Sequence, residues 1–208
     1  MIGRGIAGGC LAACLLAGTV AAAEEKAEPS PVPKDFVYGL HFLKARDYPR
    51  AIAHLTEAIQ THRLKPQRLS DAHYFRGRAL TRTKREEMAL ADFTLAVTYW
   101  PENVKALRVR CRALTLQDKL ADAKADCDQA VLLAPDDWRG WFTRGMLHDK
   151  KNDRSLALSD FTAAQARMPD GLDTFPAVSR QLRAYGLLKN ESQDTAPAGP
   201  AHPVWVED

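Results

Sequence analysis

Two cysteines, Cys111 and Cys127, are the residues of this chain best placed for covalent chemistry, and the bond their 16-residue spacing invites is a disulfide. Cys10 and Cys14 lie apart from them, in an uncharged stretch near the start. No histidine keeps a ligand-like spacing to Cys111 or Cys127, so no metal site is expected. The histidines are His41, His54, His62, His73, His148 and His202, and none pairs with another at i, i+4. His41 and His54 could approach each other if their segments formed a hairpin. Asp122, Asp126 and Asp128 cluster on one segment and read as a solvated acidic face. A glycine-rich phosphate loop, a zinc-protease helix motif and a nucleophile-elbow serine are all missing. Neither catalysis nor a cofactor is expected of such a chain.

What must position the cysteines is a period of 34 residues through the middle of the chain. Gly77, Cys111 and Gly145 keep that step, as do Ala89, Ala123 and Ala157. So do Phe93, Cys127 and Phe161; Ala96, Ala130 and Ala164; and Pro101, Pro135 and Pro169. Within one unit, Tyr74, Gly77, Ala79 and Leu80 form a stripe at helical spacing. Ala89, Leu90, Phe93, Ala96 and Val97 form a second stripe after the Arg85-Glu86 turn, and Pro101 stops that helix. The small Gly77 and Ala89 mark where the two helices approach closely. Units of this size stack because none buries its apolar face alone.

The columns place both cysteines about equally far from a turn near Lys119, facing each other across an antiparallel hairpin. Helices packed about 8–10 Å apart bring facing Cα atoms within disulfide reach. Closing that loop would stabilise the domain by about 3 kcal/mol in the chain-entropy model. Two buried free thiols filling small apolar sites are the other reading of the pair.

The pattern of small residues, aromatics and closing prolines resembles the tetratricopeptide repeat. The resemblance implies an all-α, right-handed α-solenoid of about four helix–turn–helix repeats, over 32–65, 70–103, 104–137 and 138–171. A capping helix over 172–189 would follow, with Phe175, Val178 and Leu182 as its apolar stripe and Ser179 at the small position. Gly39 to Gly77 and Ala51 to Ala89 are each 38 apart, so four extra residues are expected in the connection 61–70, where Pro66 interrupts any helix. In such arrays the first helices line a groove for extended peptides. The resemblance places Tyr74, Arg78 and Arg82 of repeat two there, with Lys105, Arg108 and Arg112 of repeat three and Arg139, Phe142 and Met146 of repeat four. That groove would be basic with interleaved aromatics, suited to an acidic, extended segment of a partner protein. Some family members clamp a terminal carboxylate, but the corresponding positions here are Phe36, Leu40, Phe75 and Val109, and only Lys105 matches. A self-assembling envelope protein and an accessory to an envelope hydrolase are the other functions weighed.

The ends complete the reading. Arg4, the Gly/Ala/Leu stretch and Ala21-Ala22-Ala23 before Glu24 read as a secretory signal over 1–23. Leu11-Ala12-Ala13-Cys14 also resembles a bacterial lipobox, with Cys14 lipidated. Export to the periplasm or beyond is expected either way, with membrane attachment only through Cys14. Residues 24–33 read as a flexible lead-in to a domain over 34–189. The tail 190–208 is expected to be disordered, and it ends in Pro203-Val204-Trp205-Val206-Glu207-Asp208, which could dock on a basic groove. A formal charge of +3 is too small to imply nucleic acid.

Overall fold

The structure, a computed structural model, describes residues 32–169 and 176–188. The signal segment 1–23 with Cys14, residues 24–31 of the lead-in, residues 172–175 and 189 of the cap, and the tail 190–208 lie outside the described residues. Among the described residues there is no strand, and no helix is long and apolar enough to cross a membrane.

Helices α1 (Lys34–Lys44), α2 (Tyr48–Gln60), α3 (Pro66–Arg82), α4 (Glu86–Tyr99), α5 (Val104–Leu116), α6 (Leu120–Leu133), α7 (Trp138–Lys150) and α8 (Arg154–Gln165) follow one another, and α9 (Pro176–Ala184) comes last. They pair as hairpins α1–α2, α3–α4, α5–α6 and α7–α8, and each second helix packs on the first helix of the next pair. The first helices also touch in sequence, α1 on α3, α3 on α5 and α5 on α7. Such contacts share one apolar core along a stack instead of closing it inside each hairpin.

The turns explain the constancy of the hairpins. Arg46, Lys84, Asp118 and Asn152 all adopt left-handed backbone, with φ of 60, 59, 60 and 61°. The next residue then reaches back: the N–H groups of Asp47, Arg85, Lys119 and Asp153 donate to the carbonyls of Phe42, Leu80, Leu114 and His148, each at 2.9 Å. This closes the first helix of every hairpin with a Schellman-type cap, built here without glycine. Asp47, Asn103 and Asp137 accept from backbone N–H groups at the starts of α2, α5 and α7.

One expectation is corrected. Pro66 does not interrupt a helix; it begins one. The extra four residues form an added first turn of α3, which has 17 residues against 13 in α5 and α7. Proline is tolerated there because the first-turn N–H groups of a helix have no intrahelical partner anyway.

Inside the hairpins, size matching sets the approach. A Cβ added to Gly77 would lie 2.5 Å from Phe93 Cε1, and one on Gly145 2.7 Å from Phe161. Gly39 stands in the same relation to Leu55, at 2.5 Å. In α5 and α6 that column instead carries Cys111 opposite Cys127, a small–small pair where the others are glycine against a bulky side chain.

Candidate protein-binding face

Helices α3 and α5 each carry two kinds of arginine, and the helical repeat separates them. Arg76, Arg110 and Arg144 recur at the 34-residue step, as do Asp92, Asp126 and Asp160 on the second helices, 16 residues on. Each guanidinium makes two bonds to its carboxylate: 2.8 and 2.7 Å for Arg76–Asp92, 2.6 and 2.5 Å for Arg110–Asp126, 2.9 and 2.7 Å for Arg144–Asp160. The aspartates are buried, so these forked pairs are well shielded from water. Burial alone would push the Asp92 carboxyl up, but bonds from Arg76 and from His73 outweigh it and hold the group below its usual 3.8. The bond that Arg144 donates to Asp160 raises the guanidinium above its usual value. In the first hairpin the column holds Tyr38 opposite His54, and Asp35 bonds His54 Nδ1 at 2.9 Å.

This ladder corrects the acidic-face reading. Asp126 is buried in its bond with Arg110, and Asp128 accepts from Lys124 and Arg144, while Asp122 is exposed. His54 stacks on Phe42, with ring centroids 5.2 Å apart.

Arg78 and Arg112 sit two positions after Arg76 and Arg110, about 200° further round the helix. They turn away from the ladder, to the side expected to meet a peptide. Arg82, Arg108 and Arg112 gather from α3 and α5. Burial, then repulsion from Arg108 and Arg82, pulls Arg112 from 12.5 down to about 10. Arg78 lies over the Tyr74 ring at 5.6 Å and Arg139 over Trp138 at 5.1 Å.

The residues expected in the groove divide by depth. Lys105 is exposed, and Arg78, Arg82, Arg112, Arg139 and Met146 are part-buried. Tyr74, Arg108 and Phe142 are buried, at 1, 7 and 6 % exposure. Tyr74 packs with Phe93 and Leu107, and Phe142 packs with Trp138 and Phe161, so both rings are core between hairpins rather than open peptide-contact surface. The positions expected to be poor for a carboxylate clamp are apolar throughout: Phe36 and Val109 are core, and Leu40 and Phe75 pack beside it.

Cys111 and Cys127 are both buried, their Cα atoms 5.5 Å apart and their sulfurs within bonding distance. They share a cluster with Leu114, Ala123 and Leu147. Among the described residues no group of three or more His, Cys, Asp or Glu is arranged to hold a metal. Beyond α8, Gln181 and Tyr185 of the last helical segment donate to Asp149 of α7, and Val178 and Leu182 join the core of the fourth hairpin. Arg180 is exposed on the outer side of α9.

The Arg–Asp ladder was missed in the sequence although its signal was there. The 16-residue offset that aligns Cys111 with Cys127 also aligns Arg110 with Asp126.

No family model matches the chain. A curated relative, peptidyl-prolyl cis-trans isomerase D of Kluyveromyces lactis, is 38% identical over 69 residues, which cover 32% of this chain and only 18% of that protein. Among solved structures, YrrB, described as a TPR protein with an unusual peptide-binding site, superposes with a TM-score of 0.58 at 18% identity, over 70% of this chain and 73% of its own. MamA from Desulfovibrio magneticus RS-1 gives 0.59 at 16% identity, over 75% and 88%. The first TPR of Spaghetti (RPAP3), bound to the HSP90 peptide SRMEEVD, gives 0.50 at 18% identity, over 58% and 95%.

Proposed function

We infer from this tetratricopeptide-repeat fold that the chain is a protein-binding scaffold whose first-helix face captures an extended, acidic segment of a partner protein. The observation that carries the reading is the run of basic residues on two touching first helices, Arg78 and Arg82 on α3 and Lys105, Arg108 and Arg112 on α5. A carboxylate-rich segment is electrostatically complementary to such a basic stretch. Guanidinium groups meet carboxylates in forked pairs, so such a face favours Asp and Glu over other acceptors. Met146, part-buried on α7, supplies apolar contact beside the charges. The peptide named for the RPAP3 structure is itself acidic, and two of the similar folds are described by the peptides or peptide site they hold.

The reading also places the protein outside the cytoplasm. Support comes from the segment 1–23 and from a cysteine pair whose placement suits an oxidising compartment.

The test is partner capture by the full-length protein and by Arg78→Glu and Arg112→Glu variants of matched helicity. Charge reversal is expected to cut capture of an acidic 9-mer peptide at least tenfold, and raising salt is expected to weaken wild-type binding. Capture that survives both substitutions overturns the acidic-groove reading.

A further inference from the structure

The second helices of the four hairpins can be compared with one another on their outer sides. In α4, Met88, Ala91, Leu95 and Tyr99 follow at helical spacing, and all four are exposed. In α2 the columns of Met88 and Leu95 hold Arg50 and Glu57, and in α6 they hold Asp122 and Gln129. In α8 Leu156 opens the same stripe, but Ser159 interrupts it. The inner side of α4 is apolar as well, with Ala89, Phe93, Ala96 and Val97 in the core. A helix that is apolar all round belongs in a place covered on both sides, and α4 is covered on one.

A furrow adjoins the stripe. Leu90, Ala91, Thr94 and Leu95 form its α4 wall, Gln117 and Lys119 of the α5–α6 turn form the other, and its volume is about 810 Å³. That is the size of a site that holds a ligand or a few side chains. In the next hairpin the positions of Leu90, Thr94 and Leu95 are held by Lys124, Asp128 and Gln129, and Lys124 donates to Asp128. There the polar side chains satisfy one another, whereas the wall on α4 is largely aliphatic.

Charge selects the occupant. Glu86 and Glu87 line one end of the furrow, both are exposed, and neither makes an ion pair among the described residues. Against these two carboxylates the lining sets one ammonium, that of Lys119. We propose that the furrow and the outer stripe of α4 form a second docking surface, which takes an amphipathic helix of a partner protein with Lys or Arg beside its apolar stripe. The surface lies on other helices than the basic groove and does not rest on that reading.

Length and polarity fit such a helix. From Glu87 to Leu95 α4 rises about 12 Å, room for two apolar anchors at i and i+4 and a basic residue one turn further on. An antiparallel approach sets the partner's C-terminal turn, where basic side chains are favoured, beside the glutamates that open α4. A second copy of this chain lacks the charge. Laying α4 antiparallel on itself sets Glu86 and Glu87 against Tyr99-Trp100-Pro101-Glu102, and a parallel arrangement sets glutamate on glutamate.

The experiment places the photocrosslinker p-benzoyl-phenylalanine at position 95 of the full-length chain in the producing cell, with position 129 as the matched control. Crosslinking is expected from 95 and not from 129, to a partner segment with apolar residues at i and i+4 and Lys or Arg one turn on. That segment, made as a fluorescein-labelled peptide, is then titrated by anisotropy with wild type, Leu95→Gln and the double variant Glu86→Lys, Glu87→Lys, all of matched helicity. Glutamine is what α6 carries in the same column, so Leu95→Gln leaves the fold intact. Each variant is expected to bind the peptide at least fivefold more weakly, and Arg112→Glu is expected to bind it like wild type. Crosslinking at 95 no stronger than at 129, a captured segment without basic residues, a crosslink between two copies, or variants that bind like wild type overturns the proposal. Loss of the peptide on Arg112→Glu also overturns it, because the segment then sits in the first-helix groove. The acidic 9-mer reports on that groove separately and is expected to bind Leu95→Gln as it binds wild type.

Discussion

Inside the hairpins Arg76, Arg110 and Arg144 each fork onto one buried aspartate, whereas on the first-helix face Arg112 is repelled by Arg108 and Arg82. Arg110 and Arg112 show the difference on a single helix. Arg110 forks onto the buried Asp126 at 2.6 and 2.5 Å. Arg112, about 200° away, is pulled down to about 10 by burial and by Arg108 and Arg82. The first arrangement spends charge on holding two helices in register. The second sets like charges against one another on the side proposed to meet a peptide. One residue type thus does structural work on one side of a helix, while the other side is the one proposed for recognition.

Breaking the ladder gives the largest effect. Asp92→Ala leaves Arg76 without its forked acceptor and buried His73 without its carboxylate, so stability is expected to fall by about 4 kcal/mol in denaturant melts. The pH dependence has a definite sign. The folded state holds Asp92 below 3.8, so its contribution is present above about pH 3.8 and is lost as pH falls through the lower folded value. Wild type should therefore lose more stability than Asp92→Ala between pH 5 and 2. Parallel acid curves for the two proteins would show that the ladder does not hold the helices.

The cysteine pair belongs to the same interior and gives the next effect. Where other hairpins set glycine against Leu or Phe, this one sets two sulfurs within bonding distance across a 16-residue separation. Reduction of the bond is expected to cost about 3 kcal/mol. In protein recovered from the producing cell without reductant, both thiols should resist alkylation; two free thiols would leave the pair as a small–small packing device and remove one support for export.

The period of 34 made the hairpins legible, because small residues and closing prolines recur where helices meet and end. The same step runs through Arg76, Arg110 and Arg144, yet a charged residue on a helix reads by default as solvated, so the ladder stayed hidden. Only the matched 16-residue offset to Asp92, Asp126 and Asp160 distinguishes a buried pair from surface charge. The depth of Tyr74, Arg108 and Phe142 was not legible either. A column in a repeat fixes the side of a helix, but how far the next hairpin covers it depends on packing between hairpins, which no single unit encodes. Pro66 illustrates a third limit: the residue that breaks a helix in its interior starts one at its first turn.

The sharpest comparison carries the smallest stability effect. Arg112→Met keeps the apolar stem against α5 and its neighbours but removes the charge that Arg108 and Arg82 repel. Its stability is expected to stay within about 1 kcal/mol of wild type, because the charge removed was disfavoured by burial and by the like charges of Arg108 and Arg82. Arg110→Met, two residues earlier, also keeps an apolar stem but strands the buried Asp126, and should be destabilised several-fold more strongly than Arg112→Met is altered. Binding of the acidic 9-mer should reverse that order, with Arg112→Met losing at least tenfold and folded Arg110→Met retaining wild-type affinity. Melts and anisotropy on the same two preparations measure both. Equal stability losses would mean that the two sides of α5 treat charge alike, and the division of labour between them would not hold.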